Sequence, residues 1–307
     1  MTRVGVSRTR MTCSPASGTR ARARLRWLAV AVAAAVAAGC SPAPTAGRLP
    51  VTVSGPSGYW TRSRLLGASP LRGPGYRDMP APGQTPDARP AVLALRVGAL
   101  FVREGSTDHF CTASVVASPG RDLLITAAHC IHGGKGGGYS QDIVFIPGYR
   151  DGQAPFGIWA VQRLLVAPQW ISGSDPSLDV GFVVLQPHDG QNIEDVLGAN
   201  QLGLDSGYRY LVRVTGYPDS ADAPITCVNW TTEQSTTQLR FDCGGFTGGT
   251  SGSPWVTHFN SRTRTGTIVG VIGGYQEGGY TAAISYSSYL GNEVQRLYQD
   301  AIADAAP

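Results

Sequence analysis

Beyond Pro90 the chain is a succession of short apolar runs, each closed by glycine, proline or polar turn residues. They include "AVLALRVGALFV" from Ala91, then "CTASVVA", "DLLITAA", "DIVFIPG", "IWAVQRLLVAP", "VGFVVLQP", "YRYLVRVTGYP", "TIVGVIGGY" and "TAAISY". Runs of this length suit strands, because a helix needs about ten or more residues to build a useful apolar stripe. The 40 glycines and the 15% share of charged residues agree with a fold of many tight turns. The pattern predicts an all-β sandwich or barrel. Only the end departs: "SYLGNEVQRLYQDAIADA" from Ser288 sets Leu290, Val294, Leu297, Tyr298 and Ile302 on one side of a helix.

What precedes this region falls into two parts. Residues 1–39 have the layout of an export signal: an arginine-rich start, the apolar stretch "LAVAVAAAVAA" from Leu28, then small residues. That stretch is shorter than the roughly 20 apolar residues a membrane-spanning helix requires. "AAGC" ending at Cys40 resembles the bacterial lipoprotein signal, in which the cysteine is lipidated, although Ala37 stands where a larger aliphatic is usual. Residues 40–90 are rich in Pro, Gly, Ala and Arg and read as a tether or pro-segment. Within them "YWTRSRLLGASPL" has Thr61 placed to cap a short turn carrying Leu65 and Leu66. Residues 91–307 form the folded domain.

The formal charge of +4 belongs to the leader. Seven of the 25 basic residues lie within 1–39, where no acid occurs, so the other 18 face 21 acidic residues and the remaining chain carries −3. No basic patch survives that would favour nucleic acid. Behind Cys13 and Cys40 the chain has Cys111, Cys130, Cys227 and Cys243, which permit three pairings. An exported protein can oxidise all four, with free buried thiols as the other reading.

Three fragments carry chemistry. "LLITAAHC" runs an apolar strand into His129 and Cys130, with His132, two residues beyond Cys130, as the rival imidazole. "SLDVGFVVL" places Asp179 at the mouth of an apolar run, where a carboxylate must find hydrogen-bond partners. Asp175 is the other nearby carboxylate, though no apolar run follows it. "GGTSGSPW", residues 248–255, surrounds Ser251 with glycines that allow close backbone approach. An imidazole, a carboxylate and a hydroxyl are the parts of a nucleophilic hydrolase. Metal-dependent hydrolysis finds no support, since no His-Glu-x-x-His occurs and the histidines are scattered.

Taken together, and in the order His, Asp, Ser, these fragments resemble the chymotrypsin and trypsin superfamily of serine proteases, over roughly residues 91–303. The serine fragment is similar to the form seen in bacterial glutamyl endopeptidases and their secreted trypsin-like relatives. The resemblance implies two six-stranded antiparallel β-barrels with a C-terminal α-helix. It implies a serine endopeptidase acting through an acyl-enzyme, with His129 as base, Asp179 as its partner and Ser251 as nucleophile. The backbone N–H groups of Gly249 and Ser251 would form the oxyanion hole. Cys130 would bridge to Cys111, and Cys227 with Cys243 would brace the loops leading to the serine. The implied substrate is a protein or peptide, with no cofactor and no metal, acted on by a monomer outside the cytoplasm, secreted or tethered through Cys40.

The chain departs from animal trypsins in two ways. The aspartate that precedes the serine there is Thr250 here, so activation by an ion pair to a newly cut N-terminus is not expected. The pocket positions implied by the family are Gly245, Thr247, Ile272, Gly273 and Gly274, none of which reads charge. An apolar or undiscriminating preference is expected, with Glu277 a candidate for entering the pocket from another loop. A catalytically idle binding protein on the same fold is the alternative, because fold alone does not imply function.

Overall fold

The computed structural model describes residues 51–52, 58–72 and 85–303. The export signal and Cys40 lie outside the described residues. Among the described residues no helix is long and apolar enough to cross a membrane.

Two strand sets account for the body of the molecule. The first contains β1 (Val97–Glu104), β2 (Thr107–Val116), β3 (Leu123–Thr126), β4 (Gln141–Pro147), β5 (Trp159–Val166) and β6 (Gly181–Leu185). They pair in the order β5-β4-β1-β2-β3-β6, and an antiparallel β5–β6 pairing closes the ring into a barrel. The second contains β7 (Leu211–Gly216), β8 (Ile225–Ser235), β9 (Gln238–Asp242), β10 (Pro254–Asn260), β11 (Thr265–Val271) and β12 (Ile284–Ser288). Their order, β11-β10-β7-β8-β9-β12, repeats that of the first set position for position. Here no ladder joins the two end strands among the described residues. Where β11 approaches β12, the Val271 N–H donates to the Ser287 side-chain oxygen at 2.9 Å. The expected pair of barrels is therefore one closed barrel and one sheet of the same topology. Each sheet is extended by two-residue strands: Val51–Thr52 and Ser69–Pro70 on the first, Arg89–Pro90 and Gln201–Leu202 on the second.

Burial explains why the apolar runs are so nearly continuous. In β1, Leu100 and Val102 point into the barrel with Val115, Phe145 and Trp159, while Ala99 and Phe101 pack outward against Trp60 and Tyr149. In β3, Leu124 fills the barrel and Leu123 with Ile125 face the C-terminal helix. A strand covered on both faces has no solvent side to make polar. By contrast Leu211–Gly216 alternates, burying Val212 and Val214.

Among the described residues four α-helices complete the fold: α1 (Arg62–Gly67), α2 (Pro168–Gly173), α3 (Ile193–Leu197) and α4 (Asn292–Ile302). The helical periodicity from Ser288 is realised in α4, whose Val294, Leu297 and Ala301 are buried against Phe182 and Val184 of the first barrel. Burying Val294 and Leu297 stabilises by about 1.5–3 kcal/mol each. Tyr298 adds a hydrogen bond to the Ala117 carbonyl at 2.9 Å, and Arg163 reaches the Ala301 carbonyl at 2.8 Å. At the other end, the Thr61 side chain accepts from the Arg64 N–H at 3.3 Å and starts α1. Leu65 is buried and Leu66 is 40% exposed. Trp60 lies 5.4 Å from Phe101, centroid to centroid, so residues 58–72 are packed onto the barrel rather than projecting from it.

Both disulfides form. Cys111 on β2 joins Cys130, 19 residues away, and Cys227 on β8 joins Cys243 just past β9, 16 residues away. Loops of that size contribute roughly 3 kcal/mol each on the chain-entropy account.

Candidate active site

β3 ends at Thr126 and the chain turns through a short 3-10 segment, Ala128–Cys130, which the Cys111–Cys130 bridge pins to β2. That turn buries His129, 6% exposed. Asp179 sits between the 3-10 turn Pro176–Leu178 and β6, with no exposed surface. A carboxylate so placed needs its oxygens satisfied. The His129 backbone N–H donates to Oδ1 at 2.9 Å, the Gly274 N–H donates to Oδ2 at 2.8 Å, and His129 Nδ1 lies 2.8 Å from Oδ2. A carboxylate only accepts, so Nδ1 carries the proton and Nε2 keeps its lone pair. Nε2 is buried and has no hydrogen-bond partner among the described residues.

The serine turn is built with comparable economy of space. Gly249 and Gly252 hold φ of 88° and 83°, a region that side chains rarely enter. A Cβ on Gly252 would strike the Thr112 carbonyl and the Thr126 hydroxyl, and would lie 3.2 Å from the Ala127 nitrogen. Gly252 therefore lets the Ser251 turn press directly on the His129 turn. Thr112 stitches the two: its N–H donates to the Ser251 carbonyl at 2.8 Å and its hydroxyl to the Gly249 carbonyl at 3.1 Å. Ser253 closes the turn from behind, its hydroxyl donating to the Thr250 carbonyl at 2.6 Å. Ser251 itself is 7% exposed.

Burial on its own lowers the affinity of His129 for a second proton. The Asp179 carboxylate, by its charge and by its hydrogen bond, offsets this, helped by the more distant Glu277 and Glu104. The result is a pKa raised above the ordinary histidine value. Glu277, half-buried in a left-handed turn at φ 51°, is itself raised, chiefly by burial.

The other nominated residues have different surroundings. His132 uses Nδ1 to accept from the Gly134 N–H at 3.0 Å and stacks edge-on against Tyr139, and Asp175 caps the following turn through the Ser177 N–H at 2.9 Å. Thr250 donates to the Thr247 carbonyl at 2.7 Å. Of the pocket positions, Gly245 faces Ala88, and Thr247 accepts from the Asp219 N–H at 3.2 Å. Ile272 accepts from the Gly252 N–H at 2.7 Å. Gly273 abuts Asp179, where a Cβ would lie 3.1 Å from Oδ2, and Gly274 supplies one of the three bonds on that carboxylate. The sequence marked these two glycines as pocket wall. Their contact with Asp179 was missed, and a Gly-Gly pair after an apolar strand is its only local signal. Cys111, His129 and Cys130 come within metal-ligating distance of one another, but the sulfurs are joined in the disulfide and Nδ1 is taken by Asp179.

Neither a protein-family model nor a curated protein matches the sequence. Solved structures do. The chain is similar to the protease Anisep from Arthrobacter nicotinovorans, at 25% identity over 71% of this chain and 100% of that one, with a TM-score of 0.64. It is similar to the thermostable serine protease AL20 from an extremophilic microorganism, at 26% identity over 69% and 98%, TM-score 0.63. A Glu endopeptidase shares the fold at 16% identity over 72% and 99%, TM-score 0.57. With one barrel closed, a second sheet of the same strand order and a C-terminal helix strapped across, the chain has the chymotrypsin-like fold of these serine proteases.

Proposed function

We propose that the chain is an exported serine endopeptidase that cleaves peptide bonds through an acyl-enzyme. Ser251 Oγ turns toward His129 Nε2, gives up its proton and attacks the scissile carbonyl carbon. The developing oxyanion is received by the N–H groups of Gly249 and Ser251. Nε2 then returns the proton to the leaving amine, and a water activated in the same way releases the acyl group. Asp179 holds the Nδ1–H tautomer and stabilises the imidazolium formed on the way.

The observation that carries this reading is the buried Asp179–His129 pair with a bare Nε2, set against a serine turn that only glycine at 252 allows to approach. A second reading, an idle binding protein, draws on two others. No hydrogen bond joins Nε2 to Ser251 in this structure, and the fold is shared, at 13% identity and TM-score 0.51, with human heparin binding protein. An organofluorophosphonate probe separates the two: the full chain is labelled and Ser251→Ala is not. Absence of label on the parent and on Arg72→Glu alike overturns the protease reading.

The two disulfides suit an oxidising compartment, and the leader is the part of the sequence that would take the chain there. The proposed enzyme works as a monomer outside the cytoplasm, secreted or tethered by lipid on Cys40. Cell fractionation tests the tether: Cys40→Ser moves the protein from the membrane fraction to the medium.

A further inference from the structure

Beyond α1 the chain runs onto the face of the serine turn. Ser69 and Pro70 pair in parallel with His109 and Phe110 of β2. The Leu71 N–H donates to the Phe110 carbonyl at 3.0 Å, and the Leu71 carbonyl accepts from the Gly249 N–H at 3.4 Å. That N–H is one of the two donors a substrate oxyanion would use. Arg72 then lays its stem across Gly248, where a Cβ would lie 2.6 Å from the Arg72 Cγ. Its guanidinium pairs with the carboxylate of Asp219. Asp219 is a prepared partner rather than a passing one: its own N–H donates to the Gly248 carbonyl at 2.8 Å and to the Thr247 hydroxyl at 3.2 Å, and its side chain is 19% exposed. Phe110 supplies the apolar floor, its ring lying under Gly249.

A seat with a carboxylate at one end, an aromatic floor and a side-chain-free crossing at Gly248 matches one kind of group. It fits a long aliphatic stem ending in a cation. We propose that Phe110, Gly248 and Asp219 form a substrate subsite for an arginine or lysine side chain next to the scissile bond, and that Leu71–Arg72 of the chain itself fill it until displaced. Only the consequence for turnover rests on the protease reading above; the seat and its occupant do not. Because residues 58–72 are anchored through Trp60 and Leu65, the occupant is held at an effective concentration far above that of a free peptide. Modest affinity in the seat is then enough to keep the cleft shut.

Charge reversal in the full chain tests the pairing. Arg72→Glu sets like charges together and is expected to raise hydrolysis of an uncharged fluorogenic peptide at least tenfold. Adding Asp219→Arg restores the parent rate. A single variant no faster than the parent, or a double variant that stays fast, overturns the proposal. A binding measurement stands apart from catalysis and from the folding of the double variant. On Ser251→Ala carrying Arg72→Glu, a labelled peptide of sequence SPLRGPG binds, and changing its arginine to alanine, or Asp219 to Asn in the protein, weakens the Kd tenfold or more. Affinity indifferent to both changes overturns the subsite. If no variant is labelled by the organofluorophosphonate, the protease reading fails and the peptide titration alone decides the seat.

Discussion

Asp179 shows how a charge without exposed surface is kept. Its three hydrogen bonds come from two backbone N–H groups and one imidazole, so replacement by asparagine keeps the shape but presents an N–H where only an acceptor fits. Asp179→Asn is expected to cut kcat by about 10⁴-fold, the usual cost of losing the tautomer-setting carboxylate in such a triad. The sign of the pH dependence follows from His129. As the proposed base it must be neutral, its pKa is raised, and activity is therefore expected to fall as pH drops through a midpoint above the ordinary value of about 6.5. In Asp179→Asn burial is opposed only by the more distant Glu277 and Glu104, and the midpoint of the residual activity moves down. A kcat/KM profile of the parent with its acid limb at or below that of free imidazole would contradict this account. The residues themselves are legible in the sequence because each stands at a break in a short motif: His129 after an apolar strand, Asp179 before one, Ser251 among glycines. Gly274 is not legible in this way, since what it contributes is a backbone N–H, which every residue but proline possesses.

At the scale of the element, the serine turn depends on one missing side chain. Gly252→Ala adds a methyl group at φ 83° against Thr112 and Thr126. The variant is expected to lose labelling of Ser251 and several degrees of Tm, readable by a probe assay and a thermal melt. Removing the first disulfide, with both Cys111 and Cys130 changed to alanine, takes away about 3 kcal/mol and frees the turn that carries His129. Denaturant titration should show a lower midpoint, with activity falling further than stability alone explains. Strand existence is readable from apolar runs, and the α4 periodicity from Val294 and Leu297. Pairing is not. Nothing in the local pattern of Leu211–Gly216 says that it lies between β8 and β10, or that Ser287 will take the hydrogen bond at which a second barrel would close. Such choices are made by contacts between residues far apart in sequence.

For the whole molecule, Trp60 tests how firmly the N-terminal segment is part of the fold. Trp60→Ala empties a site against Phe101 and is expected to cost about 3 kcal/mol, checked by unfolding in urea. Loosening the same anchor should raise peptide hydrolysis at temperatures where the variant remains folded. Composition leaves residues 58–72 open between a linker and a docked pro-segment, because their few apolar side chains find a core only by borrowing one from the barrel.

The matching strand order of the two sheets divides the chemistry between them. The imidazole and its carboxylate are both supplied by the first half of the molecule, the hydroxyl by the second, with Thr112 as one stitch between them. A sliding of one half past the other would part donor from acceptor and open the apolar cluster the halves share, while leaving the ladders of each sheet in place. Catalysis should thus disappear at a lower denaturant concentration than the far-ultraviolet signal of the strands, the joint giving way before the pieces it joins.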